Sequence, residues 1–238
     1  MIDLIKFFGD HVHLLLDKAG AHLAISALAI GISLVVALPL GVVLGHQHRG
    51  SVFAINVSNV LRSLPSLAII AISLAFFGVS LINIEIALIV LAVPPILTNA
   101  YTAVDRVDPD AVEAARGMGM SEREVLFGVE LPLSWPLIFA GIRTGAVFVI
   151  ATAPLASIAG GNGLGDIILN QPTYKLVGVI AATIVTVVMA FAIDGLLGAV
   201  QRAVTPKGVR IREKASQGLV PVATTPEVSE TEQVLVNP

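Results

Sequence analysis

The chain contains no cysteine. Disulfides, zinc–thiolate sites and iron–sulfur clusters are therefore excluded. Charge is scarce as well: 13% of the 238 residues are Asp, Glu, Lys or Arg, while 55% are hydrophobic. An ordinary soluble domain carries about 25% charged residues. So little polar surface cannot coat a soluble globule, and disorder or a nucleic-acid-binding domain is a poor account of most of the chain. The formal net charge of −3 points to no nucleic-acid or other polyanionic partner. No Gly-x-x-x-x-Gly-Lys-Ser/Thr pattern occurs, so the chain has no P-loop of its own. Aromatic residues are few, with one Trp, two Tyr and nine Phe.

What is present is a series of apolar runs. A bilayer core of roughly 30 Å needs about 20 apolar residues in a helix. Five stretches meet that length: His22 to Gly45, Phe53 to Gly78, Leu81 to Val104, Leu133 to Ile158 and Leu176 to Val200. They are continuous rather than alternating, which argues against a β-barrel. Lipid offers no partner to a free backbone group, so the runs must be helical. The expected fold is an all-α polytopic membrane protein. Pro39, Pro65, Pro94, Pro95, Pro136 and Pro154 fall inside the spans and are expected to kink them.

Arg49, then Arg106, Arg116 and Arg123, then Arg202, Lys207, Arg210, Arg212 and Lys214 follow alternate spans, against Lys6, Lys18 and Lys175 on the opposite side. This imbalance predicts a cytoplasmic C-terminus and an external N-terminus. Residues 1–20 carry a short amphipathic pattern (Leu4, Ile5, Phe7, Phe8, Val12, Leu15, Leu16), expected to lie in the outer interface. Residues 203–238 form a cytoplasmic tail, expected to be disordered from about Ser216.

The loop at 105–132 is long, charged and patterned. Asp108 before Pro109 predicts a cap and a helix to about Met118. Gly119 suits a left-handed turn. Ser121 to Glu124 has capping-box spacing, and a second short helix should end before Pro132. Such order suggests a docking surface on the cytoplasmic face.

Glu113-Ala114-Ala115, three residues, Gly119, nine residues, then Val129-Glu130-Leu131-Pro132 resembles the EAA signature of ABC-importer permeases. The one departure is Val129, where Ile is usual. Arg62-Ser63-Leu64-Pro65-Ser66-Leu67, Thr98-Asn99-Ala100-Tyr101, Gly141-Ile142-Arg143-Thr144 and Ala159 to Asp166 are similar to permeases for glycine betaine, carnitine, choline and related osmoprotectants. The resemblance covers residues 21–202 and implies a type I importer transmembrane domain in the plasma (inner) membrane. It implies ATPase subunits that bind ATP and magnesium, a second permease chain and an extracytoplasmic binding protein. On that resemblance Glu113, Ala114, Ala115, Gly119, Leu131 and Pro132 couple the permease to its ATPase. No catalysis and no cofactor are expected on the chain itself.

Other signals are weaker. Arg62, Arg143 and Asp194 lie in or near spans, where charges invite a functional reading. All three are placed toward cytoplasmic ends, so snorkelling or structural pairing is expected, with a transport role left open. Glu85 is expected at the external boundary. His11/His13 and His46/His48 are each two apart, a spacing that does not face one metal on a helix. The scarcity of Trp and Tyr puts any high-affinity aromatic cage for a quaternary ammonium on a separate protein. Two alternatives stay open: an ion-coupled secondary transporter, or a permease for another small polar solute such as an amino acid.

Overall fold

The computed structural model describes residues 2–48 and 51–205. Arg49 and the tail from 206 onward, with Lys207, Arg210, Arg212, Lys214 and the segment expected to be disordered, lie outside the described residues. All regular structure among the described residues is helical. A short α1 (Ile2–Asp10) leads into the long α2 (Val12–His46). The broken pair α3 (Ser51–Ser63) and α4 (Ser66–Phe77) follows, then α5 (Leu81–Asp105). The loop contributes α6 (Pro109–Gly117) and α7 (Glu122–Val125). A π segment (Leu126–Glu130) joins α7 to α8 (Leu131–Thr152), and a 3-10 turn covers Ala153–Ala159. Then come α9 (Gly165–Ile168) and α10 (Gln171–Val204).

Four helices are long and apolar enough to cross a bilayer: Val12–His46, Leu81–Asp105, Glu122–Ala159 taken as one helix, and Gln171–Val204. The bent pair makes a fifth. Residues 105–132 lie at one end of the bundle, the loop end, opposite its far end.

The centre of the bundle is α5, whose Ala92, Ile96, Leu97, Ala100 and Val104 are almost fully buried. It lies between α2 and α8, and both approach it through glycines four residues apart. A Cβ on Gly41 would sit 2.8 Å from the Leu97 carbonyl oxygen, and one on Gly45 2.7 Å from that of Tyr101. From the other side, a Cβ on Gly141 would sit 2.6 Å from the Pro95 oxygen, and one on Gly145 3.3 Å from that of Ala92. Where lipid is as apolar as leucine, such close backbone approach supplies the association that burial cannot.

Two sequence expectations need correction. The run from Phe53 to Gly78 is not one kinked helix but two, meeting at 85°. Pro65 stands in extended geometry (φ −64°, ψ 128°) as the cap of α4. Its ring bars Leu64 from the helical region, and it has no N–H to continue the ladder. The Ser63 hydroxyl donates to the Val60 carbonyl at 2.7 Å, satisfying one group at the break. Pro39, Pro94, Pro95 and Pro136 remain inside continuous helices.

The second correction concerns Pro132. The loop's second helix was expected to end before it, yet α7 passes through the π segment straight into α8. A proline clashes with the carbonyl four residues earlier in regular α-helix. The wider π turn, closed by the Leu131 N–H on the Leu126 carbonyl, absorbs the proline without ending the helix.

Candidate functional site

The loop is built on local capping. The Asp108 carboxylate accepts from the Asp110 N–H at 3.2 Å, and Pro109 occupies the first turn, where its missing donor costs nothing. The other end of α6 closes as a Schellman motif: the Gly119 N–H donates to the Arg116 carbonyl at 2.9 Å, and the Met120 N–H to that of Ala115 at 3.2 Å. Gly119 has φ +86° and nothing within 4 Å of a Cβ position, so conformation and not space requires glycine here. Ser121 and Glu124 then form a complete capping box for α7. The backbone and side-chain hydrogen bonds from Ser121 hold the Glu124 carboxyl below its usual value.

Val112 and Ala115 of α6 pack with Val107 and Val125 into a small core of their own. That leaves Glu113, Ala114 and Met118 exposed on the outer side of α6. Arg116 ties α6 to α7 through Glu122 at 2.9 Å, and this hydrogen bond holds the Glu122 carboxyl low. Leu131 and Pro132 are half-buried at the start of α8.

One residue pair escaped the sequence reading. The carboxylate of Glu130, 1% exposed, lies 2.6 Å from His46 Nδ1 at the last turn of α2. His46 Nε2 also approaches Glu122 at 3.7 Å. His48 turns instead to Asp105 at 3.1 Å, so the two histidines face different partners. Glu130 occupies the variable position of Val129-Glu130-Leu131-Pro132, and His46 is 84 residues away. No local pattern could have joined them.

Arg143 and Asp194 are brought together. Arg143 Nε and Nη2 donate to the two carboxylate oxygens of Asp194 at 2.9 and 2.7 Å, a bidentate geometry. Nη1 donates to Gln201 Oε1 at 3.2 Å, and Gln201 Nε2 donates to the Pro136 carbonyl at 3.0 Å. Arg143 sits midway along α8, but its guanidinium is drawn toward the loop end by these partners. The network stitches α8 to α10.

Arg62 is elsewhere. It lies exposed in the last turn of α3, at the break. One turn earlier, Ser58 Oγ donates to the Pro94 carbonyl at 3.5 Å and accepts from Thr98 Oγ1 at 2.7 Å. Arg62 is therefore level with the middle of α5, not near an end as the sequence suggested. The reason is the break: α3 supplies only the loop-end half of the span. Glu85, expected at the boundary, is half-buried in the second turn of α5.

At the far end, the glycine-rich segment 160–165 is folded into the protein. Leu164 is fully buried, and Lys18 Nζ donates to Asp166 at 2.6 Å and to Asn162 at 2.5 Å. Burial opposes ionisation of Asp166. Hydrogen bonds from Lys18 and Ser157, the Lys18 charge and the Gly163 amide outweigh it and hold the carboxyl low.

This arrangement has a known counterpart. Residues 37–206 match the model of the family described as the binding-protein-dependent transport system inner membrane component. The chain belongs to that family. The matched region takes in the glycine contacts, the whole loop and the Arg143–Asp194 network. The permease is 40% identical over 221 residues to the glycine betaine/carnitine/choline transport system permease protein OpuCB of Bacillus subtilis (strain 168), covering 91% of this chain and 100% of the relative. It is 41% identical to the carnitine transport permease protein OpuCB of Listeria monocytogenes, covering 87% and 95%. It is 39% identical to the choline transport system permease protein OpuBB of Bacillus subtilis (strain 168), covering 90% and 99%. In fold, the permease resembles a chain of the inward-facing MetNI methionine ABC transporter, with a TM-score of 0.70 at 21% identity over 83% of this chain and 99% of that one. A chain of an amino acid ABC transporter with histidines gives 0.68 at 19% identity, over 82% and 96%.

Proposed function

We propose that this permease is the membrane-spanning subunit through which an ABC importer takes up a quaternary-amine osmoprotectant of the glycine betaine, carnitine or choline type. The observation that carries the reading is end-to-end similarity, near 40% identity, to permeases named for those solutes. ATP and magnesium are bound by a separate ATPase subunit, and this chain performs no chemistry. A binding protein outside the membrane delivers the solute, and a second permease chain, identical or related, completes the passage. The ion-coupled reading is not favoured by the family, and likeness to amino-acid systems is one of fold only.

The coupling element in this reading is α6. Ala114, Glu113 and Met118 form its outer surface, and Gly119 presents it. A small residue at 114 lets a partner backbone approach closely, and the Glu113 carboxylate is available to a basic group. The N-terminus lies outside and the loop and C-terminus in the cytoplasm, supported by the Lys and Arg imbalance. The chain should co-purify from its native membrane with a P-loop ATPase. That complex, reconstituted with its binding protein, should take up radiolabelled glycine betaine, carnitine or choline only when ATP is supplied. Uptake by the chain alone without ATP would overturn the ABC reading, and ATP-driven uptake of none of the three would overturn the solute class.

A further inference from the structure

The outward faces of this bundle are not alike. On α10, Leu176, Ile180, Ile184, Val187, Val188 and Phe191 are exposed, an apolar surface suited to lipid. The outward face of α3 is different. Ala54 and Ser58 turn inward and are buried. At 100° per residue, Asn56, Asn59 and Ser63 fall on the side away from them and are exposed, a polar set interleaved with the exposed Val52 and flanked by Val60. Arg62, four residues after Ser58 and on its side of the helix, is exposed where the span breaks. Among the described residues, Asn56, Asn59 and Arg62 have no hydrogen-bond or ion-pair partner.

Position sharpens the problem. Ser58 is level with Pro94 and Thr98 on α5, so the stripe extends to the middle of the span. There, a charge facing hydrocarbon costs about 2.5–3.5 kcal/mol on insertion scales. Irregular backbone at that depth persists only where it is buried in protein or lines a water-filled cavity. The break at Leu64–Pro65 is exposed on this chain, so it is not buried by its own bundle. A water-lined wall satisfies the amides, the guanidinium and the opened backbone at once.

We propose that the Asn56–Asn59–Ser63 face of α3 is a wall of the solute passage, and that Arg62, at the break where α3 ends, sets a local positive potential there. The proposal rests on the transport reading above. The absence of cysteine from the chain makes it directly testable. Asn59→Cys and Ser63→Cys would be introduced singly into the assembled transporter, with Ile72→Cys on α4 and Val188→Cys on α10, both exposed apolar positions, as comparisons. Each would be treated with membrane-impermeant thiosulfonates, one anionic and one cationic, with and without ATP and solute.

The expected result is modification at 59 and 63 at least tenfold faster than at 72 and 188, slowed by transported solute. Modification at 63 should favour the anionic reagent, and Arg62→Gln should reduce that preference at least threefold. Each cysteine variant must first show uptake before modification, which separates an inert wall from a misfolded one. Cysteines at 59 and 63 that stay inert in an actively transporting complex would overturn the proposal. So would their oxidation to a disulfide with a second permease chain at positions that neither thiosulfonate reaches, because that would make the face a dry, packed protein interface. An unmodified transporter that takes up no quaternary amine would instead count against the solute reading and leave the labelling pattern to decide the wall.

Discussion

The loop end and the broken span teach opposite lessons about how polar groups are used in one membrane protein. At the loop end polar groups are spent on partners: Asp108 on α6, Ser121 and Glu124 on each other, Arg116 on Glu122, His46 on Glu130. The result is a platform whose shape is fixed before anything docks on it. Along α3 the polar groups are left open, with Asn56 and Asn59 turned away from the chain's own core and Arg62 exposed at the break. A fixed platform suits the transmission of force, and an open polar face suits a solute that must bind weakly and leave. Substitutions should therefore cost stability at the loop end and transport along α3.

The severest test of that contrast is His46→Ala. It strands the Glu130 carboxylate in a site only 1% exposed. Loss of one partner of a buried pair costs about 3–5 kcal/mol, so the melting temperature of the purified complex should fall sharply. Adding Glu130→Gln should recover part of it. An unchanged melting temperature in His46→Ala would mean the pair holds nothing. Next comes Gly119→Val, which forces a β-branched residue to φ +86°. The strain is about 1–2 kcal/mol, borne by a helix end with no neighbours to clash with. Insertion should be normal while solute-dependent ATPase stimulation is lost, and full stimulation would remove Gly119 from the coupling path.

Smaller effects follow. Ser121→Ala removes one half of the capping box, for about 1 kcal/mol, and hydrogen exchange at residues 122–125 should accelerate. Asn56→Ala on the open face should change stability by less than about 0.5 kcal/mol yet lower the uptake rate. A stability loss as large as that of Ser121→Ala would erase the distinction between the two regions. The least effect concerns pH at the far end. The native carboxyl of Asp166 titrates below its unfolded value, so its contribution is present above the ordinary aspartate range and fades as pH falls through the native value. Melting temperature measured below about pH 4 should decline less steeply in Asp166→Asn.

Local chemistry was the legible part. Asp108-Pro109, Gly119 and Ser121 to Glu124 each act within a few residues, and the structure has the cap, the left-handed turn and the capping box where the spacing predicts them. The spans were legible because lipid enforces their length and composition. Two prolines misled in opposite directions, since a proline's effect depends on what can absorb it. Pro65 broke its span, Pro132 follows a π segment and did not, and Pro39, Pro94, Pro95 and Pro136 stayed inside helices, so the ring alone did not decide the outcome. The pairing of His46 with Glu130 and the mid-span height of Arg62 were not legible. Both depend on which helices lie side by side: α2 and α8 are set against α5 by glycines at 41, 45, 141 and 145, and α3 meets α5 through Ser58 at Pro94 and Thr98.

The unbroken run from Glu122 to Ala159 has a mechanical consequence. Its 38 residues span roughly 55–60 Å at helical rise, and the tight contacts of Gly141 and Gly145 against α5 lie near its midpoint. Were it to stay stiff through its π segment and past Pro136, a rod held at its middle would pivot there. A tilt of about 10° would carry each tip through roughly 5 Å, in opposite directions. A displacement at the loop end would then carry the far end of the same helix the opposite way.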